Sequence, residues 1–300
     1  MPIFIKIIFG VVILATVLAV FMYAEAPSNP FTPNNSQTAK QKLWGAYAGD
    51  TPELFKQFEG LVGREADMQA VFVNWGDSFP SGFAVKGKIF VIFWEQYGIT
   101  LDEIISGKTD NYIRQFAKEV KDFNSPVILA PLHEMNGEWV QWSGVAGGNT
   151  PVKTVLAFQY IQDVFMAGNL QNVEWAWVVN HESVPDTKEN SIENYYPGNK
   201  YVDYVGVDGF NFGDPWQTYD EIFSVALEKL KTYKKPIYIF SMASAEGSRK
   251  AEWIKDAFGK IKADPDIGGF IWFNENKEKN WLINSDPLSL QAFQQGISDF

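Results

Sequence analysis

PVILAPLHEMNGEWVQW, residues 126–142, is the stretch from which the fold is read. Val127, Ile128 and Leu129 form an apolar run rich in β-branched residues. His133 and Glu134 follow side by side, then Asn136-Gly137, then Trp139 and Trp142. A continuous apolar run of this kind marks a strand buried on both faces, as in parallel sheets. Such a strand ends by delivering His133 and Glu134 into a mouth lined with indoles. Aromatic rings stack on the apolar faces of sugars, and a partly desolvated carboxyl can hold its proton near neutral pH.

Outward from this stretch the same pattern recurs. Strands are predicted at 43–47, 70–74, 89–94, 127–132, 173–179, 204–207, 237–241 and 270–273, alternating with helix-like segments eight times. The helical spacing over 111–123 puts Ile113, Phe116, Val120 and Phe123 on one face. Thr150-Pro151 reads as an N-cap followed by proline at the first helical position, and Ser248 as the cap of a helix carrying Trp253, Ile254 and Phe258. Eight βα units between Leu43 and the C-terminus fit the ~250 residues of a (β/α)8 TIM barrel. A doubly wound open sheet is the rival, but no Gly-rich phosphate fingerprint follows the first strand.

In that barrel the site lies at the C-terminal ends of the strands. Register alone brings there Trp75, Trp94, Glu95, His133, Glu134, Asn180, Asp208, Phe210, Asn211, Ser241, Trp272 and Glu275. Glu134 is the natural general acid/base, weighed against a solvated loop glutamate. His133 could contact a sugar hydroxyl or orient Glu134, weighed against a satisfied core histidine. Trp139, Trp142, Trp216 and Trp272 are candidates for sugar stacking, whereas Trp175, Trp177 and Trp253 read as core. Tyr195-Tyr196-Pro197-Gly198 reads as a turn first and as a cleft wall second. Asp208 is expected to satisfy backbone or loop groups and not to act chemically.

Composition narrows the function classes. The chain has 300 residues, 46% hydrophobic and 16% aromatic, enough for one large core. A net charge of -11 excludes phosphate neutralisation and so argues against nucleic acid. With no cysteine and only His133 and His181, disulfides, cysteine-ligated zinc and a histidine-rich metal centre are set aside, and no cofactor is expected. At the N-terminus, Lys6 precedes an apolar run over 7–23, near the lower limit for a membrane span of about 17–25 residues. Ala24-Glu25-Ala26 offers a small-x-small cleavage site, so residues 1–26 read as a retained anchor, crossing the membrane through 3–23, or as a secretory signal. Either way the remainder is exported. Residues 27–42, PSNPFTPNNSQTAKQK, read as a flexible linker, and 43–300 as the barrel domain.

The chain also resembles glycoside hydrolase family 26, the retaining β-mannanases and mixed-linkage β-glucanases. The resemblance covers about residues 44–293 and rests on WGAYAG (44–49), VGR (62–64), FWEQ (93–96), HEMNGEWVQW (133–142), GGNTP (147–151) and NVEWAWVVN (172–180). It continues through YYPGNKYVDYVGVDGFN (195–211), KPIYI (235–239) and WFNENKEKNW (272–281). It implies a β-linked glucan or mannan as ligand, Glu134 as acid/base, His133 as a sugar-contacting neighbour, and Trp139 and Trp142 as subsite aromatics. It also exposes three departures. The family's nucleophilic glutamate closes strand seven, where this chain has Ser241, and Glu246 matches a second, downstream glutamate. An arginine three residues before the histidine is replaced by Ala130, and a tyrosine ending strand six by Phe210. A hydroxyl without a base beside it is a poor nucleophile. The expectation is therefore an extracytoplasmic β-glycan-recognition protein impaired in hydrolysis, and an accessory role beside polysaccharide synthesis or export would fit the anchor. The alternative is an active endo-β-glycanase in which Glu95, Glu246 or Glu275 supplies a relocated carboxylate.

Overall fold

In the computed structural model, which describes residues 41–298 and 300, eight parallel strands close on themselves in sequence order. They are β1 (Leu43–Tyr47), β2 (Met68–Asn74), β3 (Ile89–Glu95), β4 (Val127–Pro131), β5 (Val173–Asn180), β6 (Tyr204–Asn211), β7 (Ile237–Ser244) and β8 (Ile267–Phe273). The (β/α)8 expectation holds for the barrel itself. The expected anchor or signal at 1–26 and most of the linker lie outside the described residues.

The strict alternation with helices does not hold. Helices α1 (Pro52–Val62), α2 (Leu101–Ile105), α3 (Asp110–Phe123), α4 (Pro151–Met166), α5 (Tyr219–Lys231) and α6 (Lys250–Ala263) cover five of the seven connections between strands, and α7 (Pro287–Ile297) follows β8. After β2 and β5 the chain returns through 3-10 turns at Ser81–Phe83, Ile192–Tyr195 and Asn199–Tyr201. The Thr150 cap forms, its hydroxyl accepting the Lys153 N–H at 3.2 Å. Ser248 caps nothing: α6 begins one residue further on, after Arg249, with no side-chain cap.

Side-chain alternation along the strands builds two cores. The outer one joins strand residues such as Trp44, Trp94, Trp175, Trp177 and Trp272 to the helices. The inner one is drawn from strands and includes Val91, Phe93, Ala130, Val178, Tyr238 and Phe240. Irregularities along β7 interrupt this order. The register of β7 shifts against β6 after Val207, so that Ser241 pairs with Asp208, and it shifts again against β8 between Ile239 and Met242. The extra residue is Phe240, whose ring fills the interior and occupies the space that any Cβ on Gly206 would need.

The chain enters the barrel at the N-terminal end of β1. There Lys42 Nζ donates to the carbonyls of Asp264 at 2.5 Å and Ile267 at 2.6 Å, on the rim opposite the strand ends that form the mouth.

Candidate active site

β4 ends by reversing direction. Leu132 and Glu134 both adopt left-handed backbone, with φ of 56° and 54°, a conformation that costs of order 1–3 kcal/mol per non-glycine residue. Hydrogen bonds hold it: Leu132 N–H donates to Gln96 Oε1 at 2.9 Å, and Glu134 N–H to the Val178 carbonyl at 3.0 Å. The turn drives the His133 ring inward and leaves Glu134 half-buried at the surface of the mouth. Asn136, fully buried, ties the following loop to β5. Its amide donates to the carbonyls of Asn180 and Glu182 and accepts from the Asn180 N–H at 2.8 Å.

His133 lies between two carboxylates. Its Nε2 is 3.6 Å from Glu95 on β3 and its Nδ1 is 3.6 Å from Asp208 on β6. Both distances exceed ordinary hydrogen-bond length, so charge and not a short bond holds the ring. Burial opposes protonation of the imidazole, but the flanking carboxylates outweigh it and raise its pKa to about 10. Asp208 is itself 2% exposed; burial pushes its pKa up to about 7 against the pull of His133 and of the nearby Ser241 backbone. Its Oδ1 has no hydrogen-bond partner. Asp208 therefore faces the site, contrary to the expectation that it serves backbone or loop groups.

Among the aromatic candidates the structure separates lining residues from supports. Trp139 is 50% exposed, and its indole N–H donates to Glu134 Oε2 at 2.7 Å. Trp142, Trp94 and Trp272 are fully buried and offer no face to a ligand. Trp142 donates to the His133 carbonyl at 2.7 Å and braces that turn from behind. Trp94 points outward, bonded to the Tyr112 hydroxyl at 3.2 Å and stacked on Phe116, and Trp272 donates to the Trp281 carbonyl. Trp216 is half-buried beneath the Arg249 guanidinium. Asn180 is likewise engaged, its amide donating to the Glu182 carbonyl at 2.9 Å. The rings that floor the mouth beside Phe210 are Tyr47, Phe72 and Phe273, in mutual contact at 5.0–6.0 Å. Tyr47 and Phe72 alternate correctly along their strands to point inward, a signal present in the sequence but not used.

Ser241 is 4% exposed. Neither of the downstream glutamates occupies its place. Glu246 is exposed and accepts from the Asn280 amide at 2.8 Å, and Glu275 lies toward Tyr47 and Asp50. Among the described residues, no group of three or more His, Cys, Asp or Glu side chains is arranged to hold a metal ion.

A family model for glycosyl hydrolase family 26 matches residues 91–284, which take in the turn at His133, the His133–Asp208 pair and Ser241. The chain belongs to glycosyl hydrolase family 26. Among curated proteins it is 38% identical over 271 residues to endoglucanase H of Acetivibrio thermocellus, across 84% of this chain and 30% of that protein. It is 30% identical over 118 residues to a mannan endo-1,4-beta-mannosidase of Bacillus subtilis, across 36% of this chain and 30% of the relative. The chain thus spans under a third of the length of each. Among solved structures, the catalytic domain of the family 26 endo-beta-1,4-mannanase of Bacillus sp. JAMB-750 superposes with a TM-score of 0.67 at 15% identity, covering 87% of this chain and 86% of that one. Bacillus subtilis mannanase man26 gives 0.59 at 18% identity, covering 85% of each.

Within this family 26 barrel the three departures read from the sequence lie on β4, β6 and β7, and Ser241 directly follows Phe240. Ala130 and Phe240 belong to the same inner core, together with Phe93, which meets Phe240 edge-on at 6.4 Å. The small residue on β4 and the large one on β7 belong to one apolar filling of the barrel interior. Phe210 packs on Phe273 at 5.7 Å and Trp281 at 5.2 Å, where a hydroxyl would find rings.

Proposed function

We propose that this family 26 protein recognises a β-linked glucan or mannan in its aromatic mouth and is impaired in hydrolysis. The observation that carries the reading is the surroundings of Ser241. It is buried next to Phe240, which shares the inner core with Phe93 and Ala130, and alanine stands where the resemblance implies an arginine. The ligand-facing half of the machinery is kept: Glu134 held by the half-exposed Trp139, and His133 held by Glu95 and Asp208. Burying a carboxylate nucleophile without its arginine and hydroxyl partners is costly, so loss of one member removes the reason for the others. The proposal includes export, with residues 3–23 as a membrane anchor or residues 1–26 as a cleaved signal, and an accessory role in polysaccharide synthesis or export. Calorimetric titration with cello-, manno- and mixed-linkage oligosaccharides tests the reading; heat of binding with no release of reducing ends is expected, and absence of binding to all of them overturns it.

One observation favours residual hydrolysis as a second reading. Asp208 presents an unpartnered Oδ1 directly opposite Ser241 in register. A water-activating base there, with Glu134 as acid, would invert the anomeric centre. Reducing ends released by the native chain, and lost in both Glu134→Gln and Asp208→Asn, would establish it.

A further inference from the structure

The mouth is unusually negative for a site that handles neutral sugars. In the loop residues nearest the C-terminal ends of the strands, Lys188, Arg249, Lys277 and Lys279 are the basic residues, and acids outnumber them severalfold. On the opposite rim, Lys42, Arg64, Lys86, Lys88, Lys200, Lys234 and Lys235 balance the acids. The negative charge of the chain is therefore concentrated at the mouth. Inside it, Glu95, Glu134 and Asp208 meet one cation, His133. Asp50 and Glu275 lie close enough to Tyr47 for their charges to act on its hydroxyl. Where the family pattern has an arginine, this chain has Ala130.

Asp208 gives the second, independent sign. It is 2% exposed, sits in the mouth half of β6, interacts electrostatically with Glu134, and leaves Oδ1 without any donor. A buried carboxylate oxygen with no partner is a costly arrangement that a ligand donor would relieve. A neutral sugar hydroxyl can supply a hydrogen bond; an ammonium group supplies both the bond and the charge.

We propose that the mouth selects a β-linked polysaccharide bearing free amino groups, a polymer of β-1,4-linked glucosamine type, over its neutral counterparts. This rests on the glycan-recognition reading above and narrows it. Trp139, with Phe210 beside the floor, supplies stacking for the pyranose rings, Glu134 and Glu275 supply the charge that a neutral chain does not use, and the unpartnered Oδ1 of Asp208 supplies a hydrogen-bond acceptor. Long-range attraction from the acidic rim would also speed encounter with a polycation.

The test is calorimetric titration of the full chain in detergent with β-1,4-linked hexasaccharides of glucosamine, N-acetylglucosamine, glucose and mannose, at mildly acidic pH where the sugar amines are charged. The glucosamine hexamer is expected to bind at least tenfold more tightly than the other three. That margin should shrink severalfold in high salt, and also in Glu134→Gln and Glu275→Gln, which replace partly exposed groups and leave Asp208 in the fold. A neutral hexamer binding as tightly as the amino sugar overturns the inference and leaves glycan recognition standing. An amino-sugar margin untouched by Trp139→Ala also overturns it, since that marks attraction to the rim without a site. Failure of all four ligands removes the glycan reading itself.

Discussion

Of the two histidines in the chain, His133 lies between carboxylates, and His181 has its pKa lowered by burial. Two imidazoles make two signals, so a nitrogen-resolved NMR titration reads them separately. His133 is expected to stay protonated past pH 8, with its midpoint near the value of about 10 set by its neighbours, and His181 to be neutral at pH 7. Replacing Glu95 by Gln removes one flank and should lower the His133 midpoint by more than one unit. The sign for stability follows from the raised pKa. The folded state keeps a proton that the unfolded chain releases above about 6.5. The margin of the native chain over His133→Gln is therefore full below that pH and lost as pH climbs through about 10. Trp139 gives a second residue-scale expectation. Trp139→Ala removes the one strongly exposed indole and should weaken oligosaccharide binding about tenfold, or about 1.4 kcal/mol, whereas Trp139→Phe keeps the stacking face and loses only the bond to Glu134.

At the scale of elements, β7 explains why restoring one residue would not restore an enzyme. Its register shift seats Phe240 in the interior and turns Ser241 toward Asp208. Ser241→Glu would bury a second carboxylate beside Asp208 with no arginine near, a loss of about 3–5 kcal/mol in denaturant unfolding, and no release of reducing ends is expected. Phe240→Ala should cost a similar 3–5 kcal/mol, because the lost ring leaves a cavity that Ala130 cannot fill. The β4 turn depends on Asn136 in the same way, and Asn136→Ala should cost about 2–4 kcal/mol through the bonds to β5 that it breaks. Strand parity also marks what could be read beforehand. All eight strands were legible from their apolar runs, and the inward turn at His133-Glu134 from the polar pair that ends β4. The errors came from taking strand ends as a group. Glu95 faces in and its neighbour Trp94 faces out; Phe273 faces in and Trp272 faces out. A period of two separates these pairs and was available in the sequence. The β7 irregularity was not, because nothing in KPIYIFSMASAEG distinguishes an extra residue from an ordinary apolar one. Missing helices after β2 and β5 were equally hidden, since short 3-10 turns leave no amphipathic period.

For the whole molecule, the absence of cysteine makes the proposed export directly measurable. A single Glu138→Cys, on an exposed residue of the β4–α4 loop, should react with a membrane-impermeant thiol reagent on intact cells, and protection until the cells are broken would rule out an extracytoplasmic barrel. The polarity of the barrel then acquires a direction. Lys42 fastens the start of β1 to the rim farthest from Trp139 and Glu134. With the preceding segment held at a membrane through the flexible linker as proposed, the barrel is tethered by the rim opposite its cleft, so the outer reach of the cleft is the span of the linker plus the full depth of the barrel. Such a protein would sweep a shell of space around its anchor and could grip a polymer well beyond the lipid surface.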